Sequence, residues 1–104
     1  AQFEFWAHAR LAREAGLPEE IIEAVRTGQP PACRNAAQQA IYDLVTAYFA
    51  ANRVPDTVFN RALAELGERG VVDLVGIVGY YGLVSMTLNV FEVSLPAGEP
   101  EPLP

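Results

Sequence analysis

A long uncharged run is the feature that most constrains how this chain can fold. Residues 71–91 read VVDLVGIVGYYGLVSMTLNVF, and no charge follows Asp73 within the run. As a helix the run would be about 31 Å long, which is enough to cross a small domain. A helix that is apolar on all sides needs neighbours on all sides. The run therefore predicts a central, buried helix.

The same run also meets the lower length limit for a membrane span. Ser85, Thr87 and Asn89 make its second half polar, and Arg69 is the only basic residue that flanks it closely. The other segments have the pattern of amphipathic helices of a water-soluble domain. We therefore expect a buried helix and no membrane partner, and we keep a membrane span as the alternative.

Three glycines lie along one side of this predicted helix: Gly76, Gly79 and Gly82. Glycine lets another helix backbone approach closely, and its low helix propensity suggests that tight packing offsets the cost. A chain of 104 residues has few helices with which to cover the run. We expect a homo-oligomer in which a second subunit covers part of it.

Charge and composition narrow the classes of function. The net charge is −6, and all seven basic residues are arginines. This acidic balance argues against nucleic acid or an anionic membrane surface as a partner. Without lysine the chain has no Schiff-base nucleophile of that type. Cys33 is the single cysteine and cannot form an internal disulfide, so a cytoplasmic location is expected.

The start of the chain carries no signal-peptide pattern, because Glu4 and His8 interrupt it and no basic segment precedes an apolar run. The sequence also opens without Met, inside a predicted helix. We expect that natural sequence preceded Ala1.

Capping and stop signals predict four helices before the central one. Asn35, followed three residues later by Gln38, has the form of a capping box. Gly16 and Gly28 are expected to end the first two helices. The predicted bounds are residues 2–15, 18–28, 35–52 and 56–66, with a turn at 67–70. The expected buried positions in these helices are Ile21, Ile22, Val25, Ala37, Ile41, Leu44, Val45, Tyr48, Val58, Phe59, Ala62, Leu63 and Leu66.

The predicted organisation is one helical domain at residues 1–93 and a proline-rich tail at 94–104. The tail reads SLPAGEPEPLP, with four prolines and two acids. Such a segment is expected to be extended, and either to lie along a neighbouring subunit or to remain disordered.

The strongest candidate for chemistry is the pair Glu4 and His8, one helical turn apart. A helical projection puts both on the apolar side of the first helix, with Phe5 and Leu11, and opposite the arginines. In general a carboxylate beside an imidazole stabilises the charged ring and fixes its tautomer, which suits general acid–base catalysis. An ordinary structural helix pair is the alternative.

Other mechanisms lack the necessary residues. One histidine and one cysteine, without HxH or CxxC spacing, do not suggest a metal site. Ser85 and Ser94 lie outside any GxSxG motif, and the glycine series follows no strand, so neither a hydrolase elbow nor a phosphate loop is expected. Tyr80 and Tyr81 are most simply core or interface aromatics. No cofactor is expected.

Two segments resemble the carboxymuconolactone decarboxylase family, which includes the alkylhydroperoxidase D-like proteins. They are FEFWAHARLAREAGLPEEIIEAVRTG at residues 3–28 and LGERGVVDLVGIVGYYGLVSMTLNVFEVSLP at residues 66–96. The peroxidase branch carries C-x-x-C-x-x-x-H at the first segment. Aligning that histidine with His8 puts Ala1 and Glu4 at the cysteine positions. Thiol peroxidase activity is therefore not expected, and the E-x-x-x-H form is similar to the decarboxylase-type branch.

The resemblance implies an all-α alkylhydroperoxidase D-like bundle, assembled as a trimer or hexamer, with sites near subunit interfaces. It also implies helices upstream of the E-x-x-x-H helix, which this sequence lacks. The implied reaction is cofactor-independent decarboxylation of a small cyclic carboxylic acid or lactone, as in aromatic compound catabolism. His8 would give the proton and Glu4 would orient and charge His8.

Two other classes of function stay open. The same Glu4 and His8 pair could serve a different lyase, isomerase or hydrolase that acts on a small cyclic acid. Alternatively, the chain could be a non-catalytic helical oligomer in which the pair is structural.

Overall fold

The computed structural model describes every residue from Ala1 to Pro104, and it contains four helices and no strand. The all-α class predicted from the sequence is confirmed. The helices are α1 (Gln2–Glu14), α2 (Glu19–Arg26), α3 (Ala36–Ala51) and α4 (Asp56–Val90).

The first two helices end where the glycines predict. Gly16 has a φ of 86° and its N–H bonds to the carbonyl of Arg13 at 3.0 Å. Gly28 has a φ of 70° after α2. A residue without a Cβ adopts these angles at little cost, so local sequence fixes both ends.

The predicted cap of α3 is present with one change. The Asn35 carboxamide oxygen accepts from the backbone N–H of Gln38 at 2.9 Å, as in a capping box. The Gln38 side chain accepts from the N–H of Arg34 at 2.8 Å, one residue before the cap residue itself. Two backbone donors at the start of α3 are satisfied by this exchange.

The last element joins two predicted helices. α4 runs from Asp56 to Val90, and its helical geometry is interrupted at Gly67, where φ is 73° and ψ is 171°. The predicted turn is therefore confirmed at Gly67 but is shorter than the expected residues 67–70. Gly70 has a separate role: a Cβ added there would lie 2.8 Å from the Cβ of Leu66. Gly67 permits the break in the helix, and the absence of a side chain at Gly70 leaves room for the side chain of Leu66.

The chain forms two compact units, residues 1–32 with 82–104 and residues 33–81. In the first unit Ala9, Ile21 and Ile22 are buried. The core of the second unit consists of Ala40, Leu44, Ala62 and Val71, and the hydrophobic side chains packed against it are Val45, Val54, Val58, Leu63, Leu66 and Leu74.

Several predicted core positions are wrong. Ile41, Tyr48 and Phe59 are exposed by 37%, 45% and 42%, and Val25 is also exposed. The most buried positions of α3 and α4 are Ala40, which was not predicted, and Ala62, which was. Small residues at the centre of this core leave the larger neighbouring side chains at its edge, and helical periodicity alone does not distinguish the two.

The predicted burial of the central helix is also wrong for the single chain. Val71 is its only buried residue, and Val72 and Met86 are exposed by 69% and 68%. The other apolar residues exposed by more than half are Val75, Ile77, Tyr80, Leu83, Val90 and Phe91. By length and composition α4 could cross a membrane, a criterion that core helices of soluble proteins also meet. The other three helices do not supply enough surface to cover α4.

The tail was expected on a neighbouring subunit or disordered, and instead it lies against α1 and α2 of its own unit. The Gln2 side chain exchanges two hydrogen bonds with the backbone of Leu103, at 2.8 and 3.1 Å. Arg26 donates to the carbonyl of Pro102 at 3.1 Å. Proline carbonyls remain good acceptors although proline has no N–H, so an irregular proline-rich segment can still be held by side-chain donors.

Candidate functional site

The structure places His8 on α1 with its ring nitrogen Nδ1 2.8 Å from the backbone carbonyl oxygen of Glu4. A carbonyl oxygen only accepts, so Nδ1 is the donor. In the neutral ring this leaves the lone pair on Nε2, which makes Nε2 the nitrogen that exchanges a proton. One turn of helix thus fixes the tautomer.

His8 is exposed, and Glu4 is half-buried. The expectation that both lie among apolar neighbours and away from solvent is therefore wrong for His8 in the single chain. The neighbour Leu11 is itself 57% exposed. The buried residue of α1 is Ala9, so the side of α1 on which the helical projection placed His8 and Leu11 is largely open to solvent.

Ser85 is a site residue that motif reasoning missed. Its hydroxyl donates a hydrogen bond to the carboxylate of Glu4, and both side chains are half-buried. The two residues are 81 positions apart, so no local spacing could indicate the contact. The only signal was a small polar residue inside the uncharged run, near the glycine Gly82.

The hydrogen bonds of Glu4, His8 and Ser85 differ from those that the sequence predicted. The bond that orients the His8 ring comes from the backbone of Glu4, and any residue at position 4 can supply it. The Glu4 carboxylate is itself held by Ser85. The arrangement is an oriented imidazole one helical turn from a fixed carboxylate, which can hold and transfer a proton.

A separate cavity of about 530 Å³ lies in the same unit and does not include Glu4 or His8. Its lining contains three arginines from α1 and α2, two aromatic rings of α1 and one acid of the tail. These residues are Arg10, Arg13, Arg26, Phe5, Trp6 and Glu99.

Two of these arginines are engaged by carboxylates. Arg13 makes a bidentate pair with Glu19, both bonds 2.7 Å long, and Arg26 does so with Glu23 at 2.7 and 2.8 Å. The hydrogen bonds from Arg13 hold the pKa of the Glu19 carboxyl below its usual range, and Arg26 lowers the pKa of Glu23 in the same way. Both carboxylates therefore remain ionised in mildly acidic solution.

The other residues considered from the sequence do not join either site. Cys33 is a free, partly buried thiol, and Tyr80 and Tyr81 pack edge to face with ring centroids 5.2 Å apart. No group of three or more His, Cys, Asp or Glu side chains is placed to hold a metal ion.

Comparison with known proteins gave no match to a family model, to a curated protein or to a solved structure. The functional hypothesis therefore depends on the chemistry of the site, and the family resemblance of residues 3–28 and 66–96 stays a prediction.

Proposed function

We propose that this protein is a carboxymuconolactone decarboxylase-like lyase of the alkylhydroperoxidase D-like type, which removes carbon dioxide from a small cyclic carboxylic acid or lactone without a cofactor. The observation that carries the proposal is the tautomer-fixed His8 one helical turn from Glu4, whose carboxylate is held by Ser85. An imidazole with one nitrogen anchored and the other able to exchange a proton suits general acid catalysis.

The proposed reaction balances with one proton. The bond between the ring carbon and the carboxylate carbon breaks, and carbon dioxide leaves. The electron pair enters the unsaturated system towards the ring carbonyl, and the carbon then takes a proton from His8. His8 is exposed, so water can return the proton. Glu4 contributes a fixed negative charge one turn away, and Ser85 holds that carboxylate in place.

The test is decarboxylation of carboxymuconolactone by the purified protein, followed by ultraviolet absorbance together with release of carbon dioxide. We expect a turnover rate above that of buffer and of heat-unfolded protein. Absence of turnover would contradict the decarboxylase proposal. A panel of other cyclic carboxylic acids then separates the two alternatives: turnover of one of them favours a related lyase, isomerase or hydrolase, and absence of any bound ligand favours a non-catalytic oligomer.

We also propose that the protein assembles as a homo-oligomer, a trimer or hexamer, through the apolar side of α4. Two observations support this. Val72, Met86 and five other apolar side chains of α4 are more than half exposed, and exposed apolar patches on soluble proteins mark interaction sites. A Cβ built on Gly76, Gly79 or Gly82 meets nothing within 4 Å, so the glycine side is open for a second backbone.

A second copy suits this surface better than a bilayer. Ser85 lies well inside the uncharged run and bonds to the carboxylate of Glu4. That contact places the carboxylate of Glu4 against the same stretch of helix. Charged groups within the hydrocarbon region are costly, whereas at a protein interface they can stay near water.

Replacing Gly79 with leucine tests the assembly. The variant should lose the trimer or hexamer mass in light scattering, because the side chain fills the space that a second backbone needs. Leucine has a higher helix propensity than glycine, and a Cβ at position 79 meets nothing within 4 Å in the single chain. Helix content should therefore not fall, which separates lost assembly from lost folding.

The matched control is Ala50→Leu, at an exposed position of α3, which should keep the mass of the parent protein. A monomeric parent protein, or one that needs detergent to stay in solution, would contradict the proposed assembly.

A further inference from the structure

The cavity of about 530 Å³ between α1, α2 and the tail is open to solvent, and its volume lies in the range of small-molecule sites. Phe5 and Trp6 supply apolar ring surface, and three arginines supply cationic donors. The guanidinium group is planar and matches a carboxylate through two parallel hydrogen bonds. A small aromatic anion can use both features, because its ring can pack on the aromatic side chains and its charged group can pair with an arginine.

Arg10 differs from the other two arginines of the cavity. Arg13 and Arg26 form bidentate pairs with glutamates of α2. The Arg10 guanidinium instead lies over the Trp6 ring, 5.1 Å from its centroid, in cation–π geometry. Its N–H donors are not committed to a carboxylate of this chain. Stacking on the ring also restricts the side chain, which lowers the entropy cost of binding an anion there.

The tail already brings one carboxylate to this cavity. The indole N–H of Trp6 donates to Glu99 Oε2 at 3.1 Å, and Glu99 is exposed. An exposed contact of this kind contributes little to stability and exchanges easily. The indole donor is therefore accessible to a competing carboxylate.

We propose that this cavity is a binding site for a small aromatic carboxylate. Its carboxylate pairs with Arg10 and accepts the indole hydrogen bond of Trp6 in place of Glu99, and its ring lies against Phe5. The tail residue Glu99 acts as an internal competitor that must move aside. The site is separate from His8 and needs no turnover, so its test is independent of the proposed lyase activity.

Benzoate is the probe, and Trp6 is the reporter because it is the only tryptophan in the chain. Titration with benzoate should change the fluorescence of Trp6 in a saturable way. Arg10→Gln should weaken the affinity about tenfold or more, because it removes the charged member of the pair. The matched control is Arg69→Gln, which removes the same charge from a side chain that is 95% exposed in the other unit, and it should leave the affinity unchanged.

The substitution Glu99→Gln tests whether Glu99 competes with the ligand. It should tighten benzoate binding by a few-fold, since the competing negative charge is gone. Acetate tests the ring and should bind at least about tenfold more weakly than benzoate, which has the aromatic surface in addition.

Three results would overturn the proposal. They are the absence of saturable binding, equal loss of affinity in Arg10→Gln and Arg69→Gln, and equal affinity for acetate and benzoate. Circular dichroism of each variant confirms that the helices are intact.

Discussion

Alanine at position 8 is expected to abolish decarboxylation, with a rate loss of about 10²- to 10⁴-fold, the usual range for a positioned acid–base group. The reason is that His8 is the only histidine in the chain, and its Nδ1 is anchored on the carbonyl of Glu4. Its side chain is exposed, so its removal leaves no cavity. Thermal unfolding and helix content should therefore stay close to those of the parent protein.

Three further variants are needed to interpret the result for His8→Ala. Glu14→Ala, an exposed substitution on the same helix, should retain full activity. Glu4→Gln should lower the rate less than His8→Ala, because the backbone carbonyl that orients the ring is unchanged. Ser85→Ala should resemble Glu4→Gln, since both disturb the same carboxylate. Normal turnover in His8→Ala would remove His8 from the mechanism, and a larger loss in Glu4→Gln would make Glu4 the primary acid or base.

The largest effect on stability is expected from Gly67→Ala. Its φ of 73° and ψ of 171° lie in a region that is essentially restricted to glycine. A Cβ there costs about 1–3 kcal/mol of strain, a large part of the 5–15 kcal/mol that typically stabilises a domain. Gly67→Val should cost more, because a β-branched side chain adapts least to positive φ. Urea unfolding measures both.

Gly76→Ala is the matched comparison, and its effect should have the opposite sign. Gly76 lies in the regular part of α4, and an added Cβ meets nothing within 4 Å. Alanine there should raise the stability of the helix by up to about 1 kcal/mol. Because Gly76 lies on the proposed subunit interface, the variants are compared at a concentration at which light scattering shows each of them to be monomeric. If Gly67→Ala were as stable as the parent protein, the break in α4 would not need glycine.

The features that the sequence predicted well are those that depend on a few adjacent residues. Gly16 and Gly28 end their helices, Asn35 caps α3, and Gly67 interrupts α4. Each is a backbone angle or a hydrogen bond set within four residues, so the surrounding fold has little influence on it. Even the deviation at Gln38, which bonds to Arg34, is a shift of one residue.

The features that the sequence missed depend on segments far apart along the chain. Ser85 reaches Glu4 across 81 positions, and Gln2 bonds to Leu103 across 101. Periodicity predicted the burial of Ala62 correctly, but it also placed Ile41 and Phe59 in the core and missed Ala40. Which side of a helix faces the core depends on how close its neighbour can come, and that distance is a property of both partners.

By itself, the sequence determined the all-α class and the position of nearly every helix end, and it placed Glu4 and His8 one helical turn apart. These follow from local backbone preferences and from the 3.6-residue period of the helix. Only the tertiary structure decided that the tail lies on α1, that Ser85 holds the Glu4 carboxylate, and that the apolar side of α4 is left uncovered by this chain. Those outcomes depend on which segments contact each other, because the burial of a side chain requires a partner surface that the segment's own sequence does not specify.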